Sequence, residues 1–414
     1  MQQPTEHIYR NARLADGRTV DIVVADGLIT SIDPSVALVP DTPDVGATDL
    51  GGWLVLPAMA EPHAHVDKAL TSEAVPNPTG DLQGAIRAWI AAAEQGVFTH
   101  HDMVRRVELA LEKLLLNGVT AVRSHINTGE RGGVAHLRAA REAAGRFAGV
   151  MHVEFVALVH TPMTGPGSEG NVRSLYECAD EGIDLMGGCP HLEPDGVGSI
   201  DVALQAARDT ATRVDLHVDE TLDASMLTLR DLARRVIETG FEASVTASHC
   251  VSLGMQMPEV QREVAALVAE AGISIVTLPQ TNLFLQGRGH PTATPRGLTA
   301  IRPLVEAGVV VAAGGDNVQD PFNLVGRSDP LETAALLIMA GHVLPDDAYE
   351  MVSNNARRTM GLPPVRFESG DPADFVAIDA PSIRGAIADA PADRVVVHGG
   401  AVVARSSTDR WTGV

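Results

Sequence analysis

The stretch GGWLVLPAMAEPHAHVDKAL, residues 51–70, joins an apolar run to a cluster of polar groups. Trp53 to Ala60 rises out of two glycines and reads as a short strand, and polar residues crowd in as soon as it ends. Side chains at i and i+2 of a strand share a face, so His63 and His65 project together while Ala64 turns away. Two imidazoles fixed side by side by a strand make half of a metal site; a helix needs i and i+4 for the same purpose.

Working outward, seven further β-type apolar runs follow: GVTAVRSHIN, HVEFVALVH, IDLMGGCPH, RVDLHVDE, ASVTASHC, ISIVTLPQ and GVVVAAGGDN. Amphipathic stretches such as HDMVRRVELALEKLLLNG and MLTLRDLARRVIETG separate them, with apolar residues at i, i+3, i+4 and a terminal glycine. Strand and helix alternating eight times predict an α/β fold, a parallel (β/α)8 TIM barrel over residues 57–364. Two more helices, PLETAALLIMAGHVL and DDAYEMVSNNARRTMG, are expected after the eighth strand. The N-terminal segment has short β runs punctuated twice by Ala-Asp-Gly, as hairpins are, and the C-terminal segment repeats that texture. Both termini, residues 1–56 and 365–414, are therefore expected to build one small discontinuous β-sandwich domain.

Such barrels carry their active sites at the C-terminal ends of the strands, and the polar residues fall there. His63 and His65 end the first strand, His125 and Asn127 the second, His160 the third, and His191 follows the fourth. His217 and Glu220 end the fifth, His249 the sixth, Gln280 and Asn282 the seventh, and Asp316 and Asn317 the eighth. His63, His65, His217 and Asp316 make a donor set for one divalent metal ion that leaves a position for water, a catalytic rather than structural pattern. A bound cation lowers the pKa of its water toward roughly 7. Glu220, three residues past His217, is placed to move protons, and His249 to polarise the attacked group. Barrels of this kind with two metals are bridged by a carboxylated lysine on strand 4. Only Lys68 and Lys113 occur among the 31 basic residues, so one metal is expected, and Lys68 is a candidate to orient a loop or touch substrate.

Composition narrows the partners. A formal charge of −22 and a pI near 5.0 argue against nucleic acid, which needs clustered cationic charge. The first residues have no apolar signal core, and no run approaches a membrane span, so a cytoplasmic protein without membrane attachment is expected. Cys178, Cys189 and Cys250 lack C-x-x-C spacing and read as thiols rather than a disulfide framework or zinc site.

The set PHAHVDK, RSHIN, LHVDE, TASHC, FLQGRG and GGDNVQDPF resembles the amidohydrolase superfamily, and within it the bacterial cytosine deaminase group, over nearly the whole chain. The resemblance implies that His63, His65, His217 and Asp316 hold one zinc or iron(II) ion, with Glu220 as proton shuttle and His249 as electrostatic helper. It implies hydrolytic deamination of a small heterocyclic substrate (a pyrimidine, purine, pterin or triazine) with release of ammonia, and a homo-oligomer. Departures bear on the substrate: His160 stands where cytosine deaminases have glutamine, Asn317 where they have a second aspartate, and Phe322 where they have a pocket tryptophan. A neutral histidine offers one donor or one acceptor where glutamine offers both. H-x-H-x-D-K with Asp-Asn on strand 8 is similar instead to the N-isopropylammelide amidohydrolase branch, which acts on substituted triazines and lacks the glutamate that Glu220 retains. Lys68, His125, His160, Gln286, Asn317 and Phe322 are the expected substrate contacts. Opening of a cyclic amide or release of an alkylamine is the alternative chemistry, and a non-catalytic scaffold the remote one.

Overall fold

A computed structural model describes residues 6–35, 46–129 and 132–413. Residues 1–5 and 36–45, which belong to the expected terminal β domain, lie outside the described residues. The chain opens with β1 (His7–Arg13), β2 (Thr19–Ala25), β3 (Leu28–Pro34), β4 (Ala47–Asp49) and β5 (Leu54–Pro57). Asp26 and Gly27 between β2 and β3 both take positive φ, 51° and 77°, as a two-residue hairpin turn requires and as Asp-Gly permits. Next come β6 (Met59–Ala64), β7 (Val119–Thr128), β8 (His152–Val159), β9 (Leu185–Met186), β10 (Arg213–Val218), β11 (Val245–His249), β12 (Ser274–Thr277) and β13 (Val311–Ala313), and the chain returns through β14 (Phe375–Ile378), β15 (Arg394–His398) and β16 (Ala401–Ser406).

Both termini share one sheet, ordered β16-β15-β14-β5-β1-β2-β3 with β4 beside β1. Its join is the antiparallel pair β5–β14, where Leu56 faces Val376, and its own apolar core includes Tyr9, Ile22, Val55, Phe375 and Val397. Arg394 of β15 donates twice to Asp329 (3.0 and 2.7 Å), the residue that caps helix Pro330–Gly341, and so ties this sheet to the barrel.

The second sheet runs β6 to β13 in chain order with parallel neighbours, helices between them, as in a TIM barrel. All ten residues of β7 are buried, as a strand covered on both faces demands. Helix Thr228–Thr239 ends at Gly240, whose φ of 57° is the left-handed stop that glycine makes without a Cβ penalty. The stretch expected as one helix near the end divides at Ser353 (φ −126°, ψ −99°) into Pro345–Val352 and Asn354–Thr359. The Ser353 hydroxyl donates to the Tyr349 carbonyl at the break. Among the described residues no helix is long and apolar enough to cross a membrane.

The barrel closes between its first and last strands through a parallel bridge of Ala64 with Asp316. The Asp316 N–H donates to the His63 carbonyl (3.1 Å), and the His65 N–H to the Asp316 carbonyl (3.3 Å). The seam therefore brings the H-x-H pair against the strand 8 aspartate.

Candidate active site and metal centre

A register irregularity in β6 between Glu61 and Ala64 turns the strand at the point where His63 and His65 emerge. Glu61 pins that turn: its Oε1 accepts from the His63 N–H (3.2 Å) and its Oε2 from the Gly315 N–H (2.9 Å) across the seam. A Cβ on Gly314 would lie 2.4 Å from Glu61 Oε1 and 3.2 Å from the His63 carbonyl, so only glycine lets the strands meet here. Burial pushes the Glu61 carboxyl up to about 8.

His65 Nε2 lies 3.2 Å from His217 Nε2 and 3.3 Å from Asp316 Oδ1, and His63 Nε2 lies 3.6 Å from that same oxygen. All four groups are buried. His249 Nε2 stands 3.9 Å from Asp316 Oδ2. His249, the last residue of β11, and Asp316, three residues past the end of β13, both lie in the left-handed region (φ 71° and 63°), which histidine and aspartate tolerate better than most residues.

Burial, then the neighbouring histidines, hold the His63 and His217 pKa values well below the ordinary range. Both rings are thus neutral and have lone pairs to give. Burial alone would raise Asp316, but His65 and His249 hold it below the usual carboxylate range. Among the described residues, His63 Nε2, His249 Nε2 and both Asp316 carboxylate oxygens are buried without a hydrogen-bond partner. Orphaned polar atoms in a nitrogen and oxygen donor set fit a divalent cation: His63, His65 and His217 converge closely enough to share one, and so do His63, His249 and Asp316.

Glu220 reaches the same space. Its Oε1 lies 3.8 Å from His249 Nδ1, and burial above all pushes its carboxyl up to about 7, where it both holds and releases a proton near neutrality. His249 Nδ1 is also held by Asn282 Oδ1 at 3.0 Å. Gln286 Nε2 donates to the Glu220 carbonyl (3.1 Å), fixing the loop that carries the carboxylate.

The remaining candidates divide. Lys68 Nζ lies 2.9 Å from His65 Nδ1 and 5.2 Å from the centre of the Phe322 ring, so it links the cluster to the aromatic side of the mouth. Asn317 Nδ2 donates to Asp320 Oδ2 (2.7 Å) and its carbonyl accepts from Asn323 Nδ2 (3.0 Å), which commits it to the loop after β13. His125 lies fully buried against His63 (ring centres 4.0 Å apart) rather than at the mouth. His160 follows β8 half-buried, its N–H bonded to the Thr128 carbonyl. His191 Nδ1 lies 3.1 Å from the His217 carbonyl, on a short turn. Gln280 and Asn282 sit in helix Pro279–Leu285 just past β12, and Gln280 Nε2 donates outward to Thr333. Sequence reading missed Glu61, Asp215, Ser248 and Asp320. Glu61 had a signal: a carboxylate two residues before the first histidine of a buried strand.

A sequence profile of the Amidohydrolase family matches residues 99–404. The chain is 34% identical over 395 residues to the pterin deaminase of Rhizobium rhizogenes, covering 94% of this chain and 89% of that protein. The chain belongs to the amidohydrolase family. This amidohydrolase is also 25% identical to N-isopropylammelide isopropyl amidohydrolase of Pseudomonas sp. strain ADP, over 98% of each chain. In structure it is similar to 5-methylcytosine deaminase from Klebsiella pneumoniae liganded with phosphonocytosine, with TM-score 0.86 and 26% identity over 98% of this chain and 100% of the other. It is a metal-dependent hydrolase of C–N bonds other than peptide bonds.

Proposed function

We propose that this amidohydrolase deaminates an amino-substituted nitrogen heterocycle, with a pterin-type ring as the substrate class, using one zinc or iron(II) ion held by His63, His65, His217 and Asp316. The observation that carries the reading is Glu220: a buried carboxyl near pKa 7, 3.8 Å from His249, which itself lies among the unpartnered polar atoms of the cluster. The relative that deaminates pterins supports the choice of ring. The cation, when bound, supplies the Lewis acidity that makes water nucleophilic near neutral pH.

Glu220 takes a proton from the attacking water and gives it to the ring nitrogen beside the carbon that bears the amino group. Glu220 then moves the proton of the newly added hydroxyl to the amino nitrogen, the C–N bond breaks, ammonia leaves, and the hydroxyl oxygen remains on the ring as a carbonyl. His249, fixed by Asn282, faces the position where negative charge grows. Gln286 holds the Glu220 loop so that the carboxylate keeps its reach.

A second reading, alkylamine release from an N-substituted triazine, draws on Lys68, Asn317 and the 25% identical triazine-metabolising relative. Mass spectrometry of products separates the two. Aminopterins and aminopyrimidines turned over to their carbonyl products with ammonia support deamination; free alkylamine from an N-alkyl triazine, with no ammonia from any amino ring, supports the second reading.

A further inference from the structure

Beneath the site, Asp215, Ser248 and His63 form a hydrogen-bond chain whose direction is fixed at its far end. We propose that this chain sets the tautomer of His63, leaving its Nε2 lone pair free for the cation, and that Asp215 and Ser248 are positioning residues for the metal centre. The inference rests on His63 being a metal ligand, as proposed above.

The argument starts at Arg123, which is fully buried and can only donate. Its guanidinium gives hydrogen bonds to Glu154 (2.5 Å), to Asp215 Oδ2 (2.8 Å), to Thr246 Oγ1 (3.0 Å) and to the Thr359 carbonyl (3.1 Å). Asp215, an acceptor-only carboxylate, takes the Ser248 hydroxyl on its other oxygen at 3.2 Å. The hydroxyl proton is thereby spent, so Ser248 turns a lone pair toward His63 Nδ1, 2.9 Å away. His63 must then carry its proton on Nδ1. In a neutral ring Nε2 is left bare, which matches its lack of any partner where it faces Asp316. His125 braces the arrangement: its ring packs on His63 at 4.0 Å, and its Nε2 lies 3.5 Å from Asp215 Oδ1. Asp215 and Ser248 are completely buried, so neither serves by touching substrate.

Asp215→Asn is the sharp variant. Arg123 demands an acceptor, so the new amide must turn its oxygen to Arg123 and its NH2 to Ser248. Ser248 then donates to His63 Nδ1, the ring proton moves to Nε2, and the lone pair is lost. Ser248→Ala removes the relay by deleting one hydroxyl, and Ser248→Thr keeps it.

The test is titration of metal-free protein with Co²⁺, read by its visible absorption and by competition with a chromophoric chelator, with thermal unfolding of each metal-free variant as the folding check. Asp215→Asn and Ser248→Ala are expected to lose about 10–100-fold in Co²⁺ affinity and to alter the absorption band, with Ser248→Thr within a few-fold of wild type. Folded Asp215→Asn and Ser248→Ala proteins that bind Co²⁺ as wild type does, with the same band, would overturn the relay; so would an equal loss in Ser248→Thr, which would assign the effect to packing. Should Asp215→Asn not fold, Ser248→Ala decides alone. A wild type that takes up no Co²⁺ would instead remove the metal-ligand reading on which the relay stands.

Discussion

The Asp316 carboxylate lies 3.3 Å from His65 Nε2 across the seam where the first and last strands of the barrel meet. The backbone bonds that close the barrel thus also bring the proposed ligands together, and a cation held by them would join the two ends of the sheet. Ligand that binds only the folded chain stabilises it by mass action, about 4 kcal/mol at a thousandfold excess over Kd. Stripping the metal with a chelator is expected to lower the thermal midpoint, and readdition to restore it. An unchanged midpoint would mean that no cation spans the seam.

Gly314→Ala tests the seam itself. The added Cβ meets Glu61 Oε1 at 2.4 Å and must displace either that carboxylate or the strand. A loss of about 1–3 kcal/mol in denaturant unfolding is expected, accompanied by weaker metal binding.

Binding and proton transfer should separate by mutation. His63→Ala is expected to lose metal, measured by atomic absorption, together with activity, while circular dichroism stays that of a folded barrel. Glu220→Gln should retain full metal content and lose about 10²–10⁴-fold in kcat.

Glu220 also predicts a pH effect on the metal-free protein. Its carboxyl sits at about 7 when folded against an ordinary value of 4.5, so its contribution to stability is fully present below pH 4.5 and is lost as pH rises through 7. Glutamine cannot ionise. Glu220→Gln should therefore match wild type at low pH and gain on it between pH 5 and 8, by about 3 kcal/mol at the upper end. Urea unfolding of both metal-free proteins across that range gives the difference, and a flat difference would contradict the assignment of Glu220 as the buried titrating group.

The barrel was legible because strand and helix periods differ and because several strands, such as Phe155–Val159 within β8 and Val311–Ala313, read as continuous apolar runs, as strands buried on both faces tend to. The H-x-H pair was legible because a strand repeats every two residues. Ser248 and Asp215 were not, since a serine beside a histidine and an aspartate inside a strand acquire meaning only when β10 and β11 align beneath His63. His125 reads like His63 in sequence, yet it lies under the cluster, packed on His63, because its ring projects from the middle of β7 and not from its end. Asn317 offers a donor that sequence assigns to a ligand; Asp320, three residues on, takes it.

The most direct test of the proposed chemistry is ammonia release from an amino-substituted pterin by metal-loaded protein, run beside Glu220→Gln loaded to the same metal content. Stoichiometric ammonia with the carbonyl product from wild type, and almost none from Glu220→Gln, is the expected result. Equal ammonia from both proteins would contradict the role given to Glu220, and silence from both across pterins, pyrimidines, purines and triazines, with metal bound, would contradict deamination.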